Sequence, residues 1–117
     1  MLVEDHIAFR EALAFVLAHE PDLEVVAQAG SLAEAREMLE ERPDVAVIDL
    51  ALPDGDGSEL FGELRRSNPG ISVVVLSATI VEVGHIEDLL RAGADAVLDK
   101  VESPPTIAEE VRRLAGR

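Results

Sequence analysis

Val45-Ala46-Val47-Ile48-Asp49-Leu50-Ala51-Leu52-Pro53-Asp54-Gly55-Asp56-Gly57 is the stretch on which the architecture turns. Val45 to Ile48 is an unbroken apolar run rich in β-branched residues, and it reads as a strand covered on both faces. A strand with one wet face would alternate with polar residues instead. The run stops on Asp49 and passes into a segment of Pro, Asp and Gly, the composition of a turn. Strands buried on both faces belong to parallel sheets, whose crossovers are helices, so helical patterns should flank this one in the chain.

They do. Met1 to Val3, Glu24 to Ala29, Ile71 to Leu76 and Ala96 to Leu98 read as further strands, none with an internal proline. Phe9, Ala12, Leu13, Val16 and Leu17 fall at the spacing that lines one face of a helix, predicted to cover the sheet. Ser31 with Glu34, and Thr79 with Glu82, have capping-box spacing at the starts of the second and fourth helices. Pro43 and Asn68-Pro69-Gly70 end the second and third helices, and Gly84 lies inside the fourth. Ser103-Pro104 opens the last helix, which runs to Arg117 with Ile107, Val111 and Leu114 on its buried face. The class is α/β, a compact (βα)5 unit, and residues 1–117 form a single domain with no repeat or linker.

Composition removes several function classes. No cysteine is present, which excludes disulfide frameworks, thiolate zinc sites and thiol nucleophiles and suits a reducing compartment, hence the cytoplasm. With 24 acidic against 10 basic residues, the formal charge of −14 repels phosphate backbones, so no nucleic acid is expected to bind this domain itself. Apolar runs such as Val73 to Leu76 are far too short to span a bilayer, so no membrane partner is expected. Met1-Leu2-Val3 runs directly into Glu4 and Asp5, unlike a secretory signal.

In an open α/β sheet ligands collect outside the carboxyl ends of the strands. Read there in order, the chain offers Glu4 and Asp5, Asp49, Ser77, then Asp99-Lys100. Three carboxylates in one crevice repel one another unless a cation pairs with them. Magnesium, which takes few carboxylates and keeps several waters, suits a shallow acidic site better than calcium. An Asp beside such an ion can attack phosphorus and form an acyl phosphate, with Lys100 and Ser77 supplying charge and a hydrogen bond to the phosphoryl oxygens. Taken singly, the same residues have plainer roles. Glu4-Asp5 could cap a helix, Asp49 could form a turn and Lys100 could be a solvated side chain. Asp54, Asp56 and Ser58 hint at a calcium loop, but Glu59 stands where glycine belongs and Arg65 where the closing glutamate belongs, so a turn is expected. His6, His19 and His85 are too scattered to bind a metal and receive no catalytic role.

The set Glu4, Asp5, Asp49, Ser77 and Lys100, the stretch from Val45 to Gly57, and Leu76-Ser77-Ala78 resemble the signature of response-regulator receivers of two-component systems, the CheY-like superfamily. The resemblance covers essentially the whole chain. It implies a flavodoxin-like doubly wound fold with a five-stranded parallel sheet of order 2-1-3-4-5. It also implies Asp49 as phosphoacceptor, Mg2+ held by Glu4, Asp5, Asp49 and the backbone carbonyl of Ala51, and Ser77 and Lys100 reading the phosphoryl group. The donor would be a sensor histidine kinase, and dimers could form through helices one and five or four and five. Such a receiver is not an enzyme in the ordinary sense, since it catalyses only its own phosphotransfer and slow dephosphorylation. Ala92-Gly93-Ala94-Asp95-Ala96-Val97-Leu98-Asp99-Lys100 is similar to receivers joined to LuxR-type helix-turn-helix outputs, and no such output lies within these residues.

The chain departs from the family at three places. Val97 occupies the position of the switch aromatic, and only three residues precede the acidic pair, a short first strand. Val101 follows Lys100 where the family often has a cis proline, and a cis bond to a non-proline costs ~2.5–4 kcal/mol, so a trans bond is expected. Val97 and the short strand leave open a degenerate receiver that binds partners without phosphorylation. An aspartate-dependent phosphohydrolase also uses a strand-end Asp with magnesium, but its second Asp would fall at Ala51, which cannot act as a general acid.

Overall fold

A computed structural model describes residues 1–78 and 83–116. The capping box expected at Thr79 and Glu82 lies outside them, as does Arg117. Strands β1 (Leu2–Val3), β2 (Gln28–Ala29), β3 (Val45–Asp49), β4 (Ser72–Ser77) and β5 (Ala96–Asp99) form one five-stranded sheet in the order β2-β1-β3-β4-β5, every pairing parallel. Helices α1 (Ile7–Ala18), α2 (Leu32–Glu37), α3 (Phe61–Ser67), α4 (Val83–Ala92) and α5 (Pro104–Ala115) connect them. This is the doubly wound order expected.

The pleat explains why the strands read as continuous apolar runs. Val45 and Val47 of β3 and Val74 and Leu76 of β4 face one core with Leu13, Ala14 and Leu17 of α1 and Ile107, Ala108, Val111 and Leu114 of α5. The alternate residues, Ala46, Ile48, Val73 and Val75, face the other core with Leu32 and Ala35 of α2, Phe61 and Leu64 of α3, and Leu89 of α4. In α5 the buried face matches the spacing. In α1 it is rotated, because Ala14 is buried while Ala12 is exposed and Phe9 and Val16 are only half-buried. α1 packs beside α5 as well as over the sheet, and that second neighbour draws the buried stripe around the helix.

Strand limits differ where pairing differs. β2 has only Gln28–Ala29 in place of Glu24 to Ala29, since its one neighbour, β1, offers Leu2 and Val3 for pairing. β1 is nonetheless held on both sides, with the Leu2 amide donating to the Ala27 carbonyl at 3.0 Å and the Val47 amide to the Met1 carbonyl at 2.9 Å. After β3 the chain makes a small antiparallel hairpin, Ala51–Leu52 against Gly55–Asp56, which the turn reading left unassigned. Its tip carries Asp54, whose carboxylate accepts from the Leu32 and Ala33 amides at 2.8 and 3.0 Å and caps α2 from a distant part of the chain. These two amides hold the Asp54 carboxyl below its usual range. Asp56 and Glu59 form a capping box at the single helical turn Gly57–Leu60. The acidic loop is therefore structural.

Ser31 caps α2 by accepting from the Glu34 amide at 3.1 Å, but Glu34 reaches back to the Gly30 amide, at 2.8 Å, one residue before its expected partner. Ser103 caps α5 with Pro104 behind it. α2 ends before a short turn, Leu39–Glu41, and Arg42 then adopts a left-handed conformation ahead of Pro43. Among the described residues every peptide bond is trans, Lys100–Val101 included, and no helix is long and apolar enough to cross a membrane. Replacing the fully buried Ile107 by Ala removes the α5 contact shared by α1 and the sheet. The expected loss is about 2–5 kcal/mol of unfolding free energy in urea titrations.

Candidate functional site

The carboxyl ends of β1, β3, β4 and β5 share one edge of the sheet, and the polar residues noted in sequence stand there. Glu4 follows β1, and its amide donates to the Ala29 carbonyl at 2.9 Å, so it leaves the sheet still held by β2. Asp49 closes β3 in register with Leu76, and Ser77 extends β4 one step further, in register with Asp99. Lys100 donates its amide to the Ser77 carbonyl at 2.9 Å. Asp99 then turns the chain away by accepting from the Val101 amide at 2.9 Å.

The side chains converge. Lys100 Nζ lies 2.5 Å from Glu4 Oε1 and 3.2 Å from Asp49 Oδ2. The Glu4 and Asp49 side chains are only 3% and 4% exposed, against 21% for the lysine. Burial lifts the Glu4 carboxyl from its ordinary 4.5 to about 7, helped by the Asp49 carboxylate and opposed by the Lys100 ammonium. Burial alone would lower the Lys100 ammonium, but Glu4 and Asp49 outweigh it and raise its pKa. The ammonium also stands 5.2 Å from the centre of the Phe9 ring, a cation–π contact. Asp49 Oδ1 accepts from the Ala51 amide at 3.1 Å.

Asp5 is exposed, yet Glu4, Asp5 and Asp49 each offer an oxygen within 4.8 Å of the other two. Neither acidic residue caps α1. That role falls to His6, whose Nδ1 accepts from the Phe9 amide at 3.3 Å. Glu4 Oε2 is buried and, among the described residues, has no hydrogen-bond partner. A buried carboxylate oxygen without a partner, beside two more carboxylates, is a donor set for a hard divalent cation. Ser77 is buried at the strand end. Val97 is half-buried, in register with Val75 and packed against the core under α2, α3 and α4.

Gly57 was not singled out in sequence. A Cβ there would collide with the Asp49 carbonyl oxygen and lie 2.7 Å from Ile48 Cγ2, so only glycine lets the hairpin close against the Asp49 backbone. The Gly57 amide donates to the Leu50 carbonyl at 2.9 Å. Asp95 and Arg65 brace the far end of the sheet. Arg65 donates to the Ile71 carbonyl at 3.0 Å, to the Gly93 carbonyl and to Asp95, which also accepts from the Val73 amide at 2.7 Å.

A parallel doubly wound sheet with a carboxylate cluster and one lysine at its strand ends defines a class of phosphate-handling α/β domains. The chain belongs to the response regulator receiver domain family, whose sequence profile matches residues 1–112. It is 37% identical over 118 residues to the DNA-binding transcriptional activator DevR/DosR of Mycobacterium tuberculosis, covering 99% of this chain and 54% of that protein. Among solved structures, the signal receiver domain of NarL from Mycobacterium tuberculosis superimposes with a TM-score of 0.86 at 28% identity, over 98% of this chain and 93% of that one. A LuxR-family two-component response regulator from Aurantimonas sp. SI85-9A1 does so with a TM-score of 0.85 at 29% identity, over 100% and 84%. The chain spans about half the length of DevR/DosR and of the transcriptional regulatory protein DegU of Brevibacillus brevis, to which it is also similar. Receivers of this family bind Mg2+ at an acidic pocket and pair with sensor histidine kinases.

Two outcomes test the geometry. A carboxyl with a raised folded pKa keeps its proton longer in the folded chain, so its contribution to stability is complete below 4.5 and lost as pH rises to about 7. In cation-free buffer the urea midpoint should fall across that window, and Glu4→Gln should flatten the fall. Gly57→Ala should cost about 1–3 kcal/mol of stability in urea, because backbone must move to admit the methyl group.

Proposed function

We propose that this domain, taken as one module over residues 1–117, receives a phosphoryl group on Asp49 and changes conformation to control an output. The observation that carries the reading is the single ammonium shared by two buried carboxylates, Glu4 and Asp49, with Asp5 alongside. A carboxylate oxygen of Asp49 attacks the phosphorus of a phosphohistidine in a sensor histidine kinase. The O–P bond of an acyl phosphate forms as the P–N bond breaks, and the bonding pair leaves on the imidazole nitrogen.

Glu4, Asp5, Asp49 and the Ala51 backbone carbonyl would hold Mg2+, which when bound supplies positive charge to the phosphoryl oxygens. As the Asp49 carboxylate becomes a mixed anhydride it loses its charge, and Lys100 pairs instead with the new phosphoryl dianion. Ser77, on the strand between them, donates its hydroxyl to a phosphoryl oxygen. Its movement towards that oxygen shifts the end of β4, a population shift between two conformations. With Val97 in place of an aromatic, backbone movement at Ser77 carries the signal. The domain works in the cytoplasm, and its only chemistry is its own phosphotransfer and slow dephosphorylation. Homodimers through α1 and α5 or α4 and α5 and a LuxR-type output belong to the same reading.

Incubation with a small phosphodonor and Mg2+, followed by intact mass measurement, should show one added phosphoryl group on the native chain and none on Asp49→Asn. Absence of the adduct would favour a phosphorylation-independent interaction module. Steady turnover of a phosphomonoester would favour a phosphohydrolase.

A further inference from the structure

Arg10 has no assigned role in phosphoryl transfer and an unusual environment. It lies in the first turn and a half of α1, half-buried, in a chain with far more acidic than basic residues, yet among the described residues it makes no ion pair. Among the same residues its buried Nε has no acceptor. Its Nη1 donates to one atom, the backbone carbonyl oxygen of Glu4, at 2.8 Å.

That carbonyl needs such a donor. β1 ends at Val3, so beyond it the Glu4 carbonyl has left the ladder, and the helical bonding of α1 starts later, with the Arg10 amide donating to the His6 carbonyl at 3.0 Å. The Glu4 peptide groups are therefore held by Ala29 on the amide side and by the Arg10 side chain on the carbonyl side. This residue sends its carboxylate inward to Lys100 and the next, Asp5, outward to complete the acidic cluster. The space through which the guanidinium passes is left by Gly30, where a Cβ would lie 3.0 Å from Arg10 Nη1 and 3.1 Å from Glu34 Oε1.

We propose that Arg10 is a positioning residue for the divalent cation, its guanidinium fixing the Glu4 carbonyl so that Glu4 and Asp5 present their carboxylates together, in the room that Gly30 provides. The inference rests on the receiver reading above. Geometry and charge make opposite demands. A positive charge near the cluster disfavours a cation, whereas the hydrogen bond that orders two ligands favours it. If charge governed, Arg10→Met would bind Mg2+ more tightly than the native chain and Arg10→Lys equally. If positioning governs, both bind more weakly, because methionine has no donor and lysine keeps the charge on a stem one bond too short to place its ammonium where Nη1 meets the Glu4 carbonyl.

The test is Mg2+ titration followed by the amide NMR shifts of Glu4 and Asp5, with far-UV circular dichroism to show that each variant is folded. Groups that orient metal ligands typically contribute about 10- to 100-fold in affinity, and a loss in that range is expected for Arg10→Lys and Arg10→Met. Gly30→Ala, whose methyl group would crowd Arg10 Nη1 at 3.0 Å without altering any charge, should weaken binding in the same direction and keeps the test open if the Arg10 variants do not fold. Native affinity in Arg10→Lys and Gly30→Ala would overturn the role of Arg10 while leaving the receiver reading intact. A native chain whose shifts do not respond to Mg2+ would overturn both.

Discussion

Two carboxylates with almost no contact with water, Glu4 and Asp49, share the ammonium of Lys100, and the surrounding structure is arranged around that electrostatic constraint. Burying like charges side by side is unfavourable unless a counter-charge is placed between them, and removing such a partner from a buried set is more costly than losing a surface pair. The sheet order meets the requirement. β1 and β3 are neighbours, so Glu4 and Asp49 emerge together, while β5 lies two places from β3 and the lysine stem reaches over the end of β4 at Ser77. The pocket is consequently negative and incompletely paired, with a Glu4 carboxyl that holds its proton to about pH 7 and an oxygen lacking a donor.

The architecture was legible because burial on both faces leaves a mark in composition. Val45 to Ile48 and Ile71 to Leu76 contain no polar alternation apart from Ser72, and such strands can lie only between two helical layers. The start of α5 was equally plain, since Ser103 and Pro104 act through neighbouring residues. Convergence of the strand-end residues could be anticipated from the topology, and the fold brings Glu4, Asp5, Asp49 and Lys100 together while setting Ser77 on the intervening strand.

Features that depend on tertiary partners were not legible. Asp54 looked like a turn residue, but it caps a helix that begins 22 positions earlier in the chain. His6, given no catalytic role, is the cap of α1, so neither Glu4 nor Asp5 is taken up in capping it. The small hairpin after Asp49 was hidden because its strands are two residues each, too short for any alternation to register. The span from Glu24 to Val26 has strand-like composition but lies outside the ladder, as propensity cannot supply a pairing neighbour. Gly57 and Gly30 show their purpose only when the atoms that would meet a Cβ are known.

The bond between Lys100 and Glu4 joins residues 96 positions apart, nearly the two ends of the described chain. During synthesis, therefore, a nascent polypeptide displays Glu4, Asp5 and Asp49 well before their counter-ion leaves the ribosome. An unfinished copy carries a cluster of mutually repelling acids and no lysine to reconcile them. Charge pairing at this edge is thus tied to completion of the translated segment, and prematurely terminated copies ending before β5 lack the ammonium between Glu4 and Asp49.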